Sequence, residues 1–508
     1  MVRCAAGVSN HPFIECRPWR EPRDLFAEYA KRPHCVWLDS ARGQGISILA
    51  AEPFQVFRTQ GRRCELITAN GVTRLDANPF DVLKEHLAAH SSRLEGSALP
   101  AEVFTKAGPV EPFPLGAAIG YFGYDLKNFV EKLPANAVDN LGLPDCWFGF
   151  YDHLIVFDHA QCRMWEVIGG RGSCRAVSHH STTPLLHHSV PSLTSNFTRD
   201  SYCRTVLRAK EYIAAGDIYQ VNLSQRFQCG IEVSPAEAYL ALRESNPAPY
   251  CAYLDIGEAQ ILSSSPECFL KVHGRHVVTR PIKGTRPRGT TPEEDARIAA
   301  ELLASPKDNA ELVMITDLER NDLGRVCEFG SIHVSELVRV ESYATVHHLV
   351  ATVEGQLRRD VSPVDCVRAC FPGGSITGAP KIRAMQIIDE LEPHARGVYT
   401  GAVGFLGFNG VSHLNIAIRT AVYQAVTTDA ADGAGGHRAL PTVGNDEPVE
   451  RAGPGRRSGL SGRLTFHAGG GIVADSEPDA EYDETLAKAQ GIFNAIDQLR
   501  LRERPVRA

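Results

Sequence analysis

The chain has 508 residues, of which 43% are hydrophobic and 22% charged, which is enough apolar material for a large buried core and enough length for more than one domain. Its net charge of -7 excludes the basic balance that a nucleic-acid-binding stripe requires and favours small-molecule chemistry. Its 14 cysteines, scattered from Cys4 to Cys370 without a CxxC pair, are expected to be thiols of a reducing, cytoplasmic compartment.

From Met1 to Glu21, polar residues interrupt every apolar stretch, so neither a signal-peptide core nor a membrane span is expected. Gly169 to Ser195, rich in Ser, His, Thr and Gly, reads as a linker between an N-terminal region, 1–168, and a C-terminal region, 196–508. Its doublets His179-His180 and His187-His188 have no acidic or cysteine partner and read as solvated loop. Thr291-Pro292-Glu293-Glu294 and Ser305-Pro306-Lys307-Asp308 each place a capping side chain before a proline, so two helices follow closely. Cys366 and Cys370 stand one helical turn apart, but no second pair completes a zinc site. Asn409-Gly410 marks a hairpin between 404–408 and 411–419. Its second strand puts Leu414, Ile416 and Ile418 on a buried face and His413, Asn415 and Arg419 on an open one. Thr427 to Gly462, dense in Gly, Ala, Asp, Pro and Arg, reads as a mobile insertion, and a last helix runs from about Ser476 to Leu501. The pattern is α+β, with antiparallel sheets covered by helices.

Several segments carry side chains suited to chemistry. Glu267 follows Ser265-Pro266 at the start of a short apolar strand and is either a general acid or a solvated end. Lys283, in Pro281-Ile282-Lys283-Gly284-Thr285-Arg286-Pro287-Arg288, stands near two fixed cations that would favour its neutral, nucleophilic form; the alternative is a surface lysine in a basic loop. Glu311 shares a helix face with Ile315, Leu318 and Asp322, so its carboxylate needs a partner or a cation. Phe371 to Lys381 resembles a phosphate loop only superficially, because the final Gly and Lys are wrongly spaced and a proline intervenes. The run Ala468-Gly469-Gly470-Gly471 fits backbone donors to an anion or a bulge in a strand. Glu481, Glu484 and Lys488 share one side of the last helix, as a surface ion pair or as part of a magnesium site with Glu311.

Taken in order, these segments resemble the chorismate-binding family of anthranilate synthase component I, aminodeoxychorismate synthase component I and the isochorismate and salicylate synthases. The resemblance runs from about Asp200 to Leu501 and is carried by Met314 to Leu323, Ser375 to Met385 and Ala468 to Thr485. It implies two facing antiparallel sheets with helices outside and a cleft between them for chorismate and Mg2+. Glu311 and Glu484 would be the metal ligands, with Glu481 in support. Gly284, Thr285, Tyr399, Arg419, Gly469, Gly470, Gly471 and Lys488 would contact chorismate. Glu267 would be the general acid at the C4 hydroxyl, and His348 a histidine of the cleft.

Water-using relatives carry a lysine where this chain has Gln220, so ammonia is the expected nucleophile. Pro-Ile-Lys-Gly-Thr around Lys283 is the form found in aminodeoxychorismate synthases, whereas anthranilate synthases usually have alanine at the lysine position. The resemblance thus implies conversion of chorismate to 4-amino-4-deoxychorismate, with ammonia from a separate glutamine amidotransferase subunit. Rival readings are an anthranilate synthase component I and a non-catalytic tryptophan-binding subunit. Leu38-Asp39-Ser40 and Leu115 to Tyr124 resemble the family's N-terminal region, and Ser40 with Pro249, Tyr250 and Cys251 would form a tryptophan pocket. Cys251 departs from the methionine usual in feedback-regulated anthranilate synthases.

Overall fold

The Thr291 hydroxyl accepts from the Glu294 amide at the head of the helix Pro292–Ala304, and the Ser305 hydroxyl accepts from the Asp308 amide at the head of Pro306–Gly324. Such a cap contributes about 1 kcal/mol. Asn409-Gly410 turns strand Ala402–Gly407 into Val411–Ile416, with Gly410 at φ 79°, a left-handed conformation that costs glycine little. The computed structural model describes residues 12–41, 43, 45–91, 111–169, 192–343, 346–426 and 461–503. The paired histidines of the linker and nearly all of Thr427 to Gly462 lie outside the described residues.

The strands form two antiparallel sheets of 12 strands each. The first runs in the order Phe13–Arg17, Arg163–Ile168, His153–Asp158, Ile46–Ala50, Val36–Asp39, Tyr250–Asp255, Gln260–Ser265, Thr420–Val426, Ser461–Ile472, Gln220–Ile231 and Thr194–Ser195; Gly378–Ala379 also pairs with Gln220–Ile231. The second runs Ile282–Pro287, Val346–Gln356, His276–Arg280, Cys268–His273, Val411–Ile416, Ala402–Gly407, Ala117–Phe122, Cys146–Tyr151, Gln55–Gln60, Arg63–Thr68 and Gly71–Asp76, with His333–Ser342 on Val346–Gln356. Both sheets take strands from either side of 170–191. Val36–Asp39 pairs with Tyr250–Asp255, and Ala117–Phe122 with Ala402–Gly407.

Apolar packing fixes the layers. Ile48, Val156, Leu254 and Val422 of the first sheet meet Ile119, Tyr121, Val403 and Phe405 of the second in a core between the sheets. Leu25, Tyr239 and Ile492 cover the outer face of the first sheet, and Phe80, Leu83 and Val367 that of the second. The result is helix, sheet, sheet, helix, as expected from the alternation of apolar and polar positions.

The hairpin departs from its expected faces. Strand Val411–Ile416 stops before Arg419, which sits at φ 49° in the corner leading to Thr420–Val426 of the other sheet. The face of His413 and Asn415 is not open to solvent. Asn415 is buried and donates to the Tyr250 carbonyl at 2.9 Å, while the His413 ring meets Tyr250 edge-on at 4.9 Å. The opposite sheet covers this polar face.

Candidate active site

Lys283 lies on strand Ile282–Pro287, where Gly284 at φ 65° interrupts the register: Lys283 pairs with Leu349 and Thr285 with His348. This extra residue is a bulge, a device that re-aims side chains beside active sites. A Cβ at Gly284 would meet Asp308 Oδ1 at 3.0 Å, so glycine suits both the backbone and the space. The Lys283 side chain is 11% exposed and its Nζ lies 3.9 Å from Glu311 Oε2. Burial lowers the Lys283 pKa; Glu311 opposes this and Lys488 adds to it. The expectation that Arg286 and Arg288 would depress it needs correction, because Arg286 pairs with Asp308 and Arg288 with Asp295.

Gln220 and Gly471, both of the first sheet, come to the same point. A Cβ added at Gly471 would stand 2.7 Å from Gln220 Nε2 and 3.5 Å from Lys283 Nζ. Gln220 is fully buried, and among the described residues neither end of its amide has a hydrogen-bond partner. A buried amide in that state favours a polar guest. Gly471→Ala is expected to displace the Gln220 amide and lower kcat/KM about tenfold, with little loss of stability because the far end of a flexible side chain can give way. Steady-state kinetics beside a denaturation curve checks this, and parent kinetics would show that the space at Gly471 is not used.

Glu267 is buried, and its Oε1 lies 3.5 Å from the Ile282 amide. Burial raises its pKa, opposed by the Ser375 hydroxyl and by the charge of Lys283. On the C-terminal helix Pro478–Glu503, Glu481 and Glu484 face Gly470, whose added Cβ would lie 3.1 Å from Glu481 Oε2 and 3.3 Å from Glu484 Oε1. Glu481 Oε1 accepts from Ser476, while Oε2 is buried and has no hydrogen-bond partner among the described residues. Burial opposes ionisation of Glu484, yet Lys488, Lys283 and Lys307 together hold its pKa below the ordinary glutamate value. Among the described residues no group of three or more His, Cys, Asp or Glu closes on one point. Magnesium does not require one, since it takes one or two carboxylates and completes its shell with water and ligand oxygens. A hard, all-oxygen set with an unpartnered buried carboxylate oxygen fits that ion.

Of the remaining expected residues, Thr285 and His348 share a hydrogen bond of 2.9 Å. Lys488 donates to the Gly469 carbonyl at 3.0 Å and pairs with Glu484 at 2.7 Å. Tyr399 stacks on His467 with centroids 4.9 Å apart, and Arg419 donates to Asn246 Oδ1 at 3.4 Å. Pro249, Tyr250 and Cys251 line a cleft between the sheets, as does Asp39 but not Ser40. Lys381, at the end of the glycine-rich stretch Phe371 to Lys381, pairs with buried Asp322. Sequence reasoning missed Ser375 and Glu319. Glu319 falls on the buried stripe Leu312, Ile315, Thr316 and Leu323, so helical periodicity was the signal that could have found it.

The family of chorismate binding enzymes matches residues 33–436 and 458–494. Anthranilate synthase component 1 of Acetivibrio thermocellus is 35% identical over 507 residues, spanning 94% of this chain and 93% of that protein. Aminodeoxychorismate synthase component 1 of Bacillus subtilis is also 35% identical, over 484 residues and 92% of each chain. The crystal structure of anthranilate synthase component I from Streptococcus pneumoniae, 31% identical, aligns with a TM-score of 0.66 over 88% of this chain and 92% of that one.

Proposed function

The chain belongs to the family of chorismate binding enzymes, and we propose that within it this protein adds ammonia to C4 of chorismate to make 4-amino-4-deoxychorismate. The two amine-adding relatives match at equal identity, so the choice rests on the site. The observation that carries it is the buried amine of Lys283, aimed by its bulge among Glu311, Glu267 and Glu484 and facing Gln220 across the cleft.

Desolvation favours the neutral amine, the only form that is a nucleophile. Lys283 adds to ring C2 while Glu267, its proton retained by burial, protonates the departing C4 hydroxyl. Ammonia then adds at C4 and the lysine leaves, so pyruvate is not eliminated. Gln220 carries no base to activate water. Glu311 and Glu484, with Glu481 beside them, would hold Mg2+, which when bound offsets the charge of the ring carboxylate and draws electron density from the ring. Lys488 and the glycines Gly469 to Gly471 supply donors and close access for an anionic substrate. Ammonia comes from a separate glutamine amidotransferase subunit, and the free state of the described cysteines suits a cytoplasmic setting. Among the described residues no helix is long and apolar enough to cross a membrane. The cleft at Pro249, Tyr250 and Cys251 offers apolar walls and the polar ends of Asp39 and Asn415, which suits tryptophan.

Chorismate, magnesium and an ammonium salt are expected to give 4-amino-4-deoxychorismate without pyruvate, and glutamine is expected to replace ammonium only after the partner subunit is added. Chromatography of the products checks both. Release of anthranilate and pyruvate would assign the chain to the rival chemistry.

A further inference from the structure

Six residues beyond Gln220 on the same strand, about 20 Å away, the first sheet carries a row of buried polar groups. Arg226 on strand Gln220–Ile231 stands directly opposite His467 on strand Ser461–Ile472, and Thr465 and Arg463 follow at alternate positions, so the four side chains share one face. Val422, the partner of Thr465 on the next strand, belongs to the core between the sheets, so this face looks inward. Arg226, Thr465 and His467 are 3%, 2% and 5% exposed. The Nε atoms of both arginines, Thr465 Oγ1 and His467 Nε2 are buried, and none has a hydrogen-bond partner among the described residues. All four can donate.

Buried guanidiniums are ordinarily matched by carboxylates. Here the partners are neutral: Arg226 Nη1 donates to Asn140 Oδ1 at 2.8 Å, and Arg463 Nη2 donates to Gln424 Oε1 at 3.0 Å. Among the described residues neither arginine forms an ion pair. Gly230 stands opposite Arg463 and offers it no side chain. Asp139, the acid that acts on Arg226, is engaged in its own turn, where it accepts from the amides of Leu141 and Gly142 at 3.0 and 3.2 Å. Burial and the charge of Arg463 lower the Arg226 pKa to about 10, the mark of a cation short of counter-charge.

We propose that Arg226, Arg463, Thr465 and His467 form a binding site for a small oxyanion of the phosphate class, separate from the catalytic cleft. Two cations favour a dianion over chloride, and the hydroxyl and the imidazole donate to oxygens that the guanidiniums leave free. Water satisfies a donor but supplies no counter-charge, so it leaves the cost of burying the arginines in place. Arg463 is half-buried and Asp139, Asn140 and Gly142 are exposed, so the row lies one layer below the surface.

Calorimetric titration of the full chain with inorganic phosphate is expected to show saturable binding that sodium chloride at matched ionic strength does not give. Arg226→Gln is expected to weaken phosphate about tenfold or more, because a charge-assisted hydrogen bond is lost. Lys488→Ala removes a cation of the catalytic cleft instead and is expected to bind phosphate as the parent does. Parent affinity in Arg226→Gln, or loss of binding in Lys488→Ala, would place the anion in the catalytic cleft and overturn the proposal. Absence of saturable binding in the parent would show that water fills the row, and would overturn it as well. Should Arg226→Gln not fold, Arg463→Gln changes a half-buried side chain and is expected to give a similar loss. Parent affinity in that variant would overturn the proposal.

Discussion

Alanine at Glu311 or at Glu484 is expected to abolish magnesium-dependent turnover while the protein still folds. The two carboxylates come from different elements, the helix Pro306–Gly324 and the C-terminal helix Pro478–Glu503, and both act on Lys283. Changes merely around a metal ligand cost 10- to 100-fold in affinity or activity, so loss of a ligand is expected to cost at least about 100-fold. The competing account treats Glu484 and Lys488, 2.7 Å apart with side chains 48% and 41% exposed, as a surface pair. That account allows about 0.3–0.5 kcal/mol of stability and no catalytic effect. Turnover as a function of magnesium concentration, read beside a melting curve, separates the two. Near-parent turnover by either variant would remove that carboxylate from the metal site.

What the sequence made legible is local. Thr291 and Ser305 announced their caps, Asn409-Gly410 its hairpin, and Ser476 to Asp479 the start of the last helix, because each signal spans a few residues and its hydrogen bonds close within them. The pairing of Val36–Asp39 with Tyr250–Asp255 joins strands on either side of the linker and has no local signature, so the sharing of both sheets by the two regions was not legible. Period-two alternation gave Asn415 a face but not that face's covering, which comes from the opposite sheet through Tyr250.

The same division runs through the candidate site. Motif resemblance supplied the residues Gln220, Lys283, Glu311 and Glu484, but their electrostatics depend on who sits beside whom in space. Arg286 and Arg288 are neighbours of Lys283 in sequence, yet each is matched by an aspartate, Asp308 and Asp295. Burial and Lys488, more than 200 positions away in the chain, depress the lysine instead. Helical periodicity marks Glu319 as buried, but its partner, the Gly374 amide 55 residues further along the chain, has no local signature.

Lys283→Ala is expected to remove most formation of 4-amino-4-deoxychorismate, because no other described side chain presents an amine to both Gln220 and Glu311 at this bulge. Losing covalent assistance typically costs orders of magnitude, and about 100-fold or more is expected here. Space and charge both change in the variant: the cleft gains room, and Glu311 loses the cation 3.9 Å from its carboxylate. Ammonia at high concentration could then reach C2 directly, giving a trace of anthranilate-type product with pyruvate. Mass spectrometry of the parent enzyme, quenched with chorismate and magnesium in the absence of ammonia, is expected to find an adduct on the peptide containing Lys283. The mass should correspond to chorismate less water, because the amine displaces the C4 hydroxyl as the ring double bonds shift. A variant that makes the product at the parent rate, together with no trapped adduct, would show that Lys283 binds substrate without attacking it. An adduct in the parent with pyruvate as its main co-product would keep the nucleophile and overturn the choice of product.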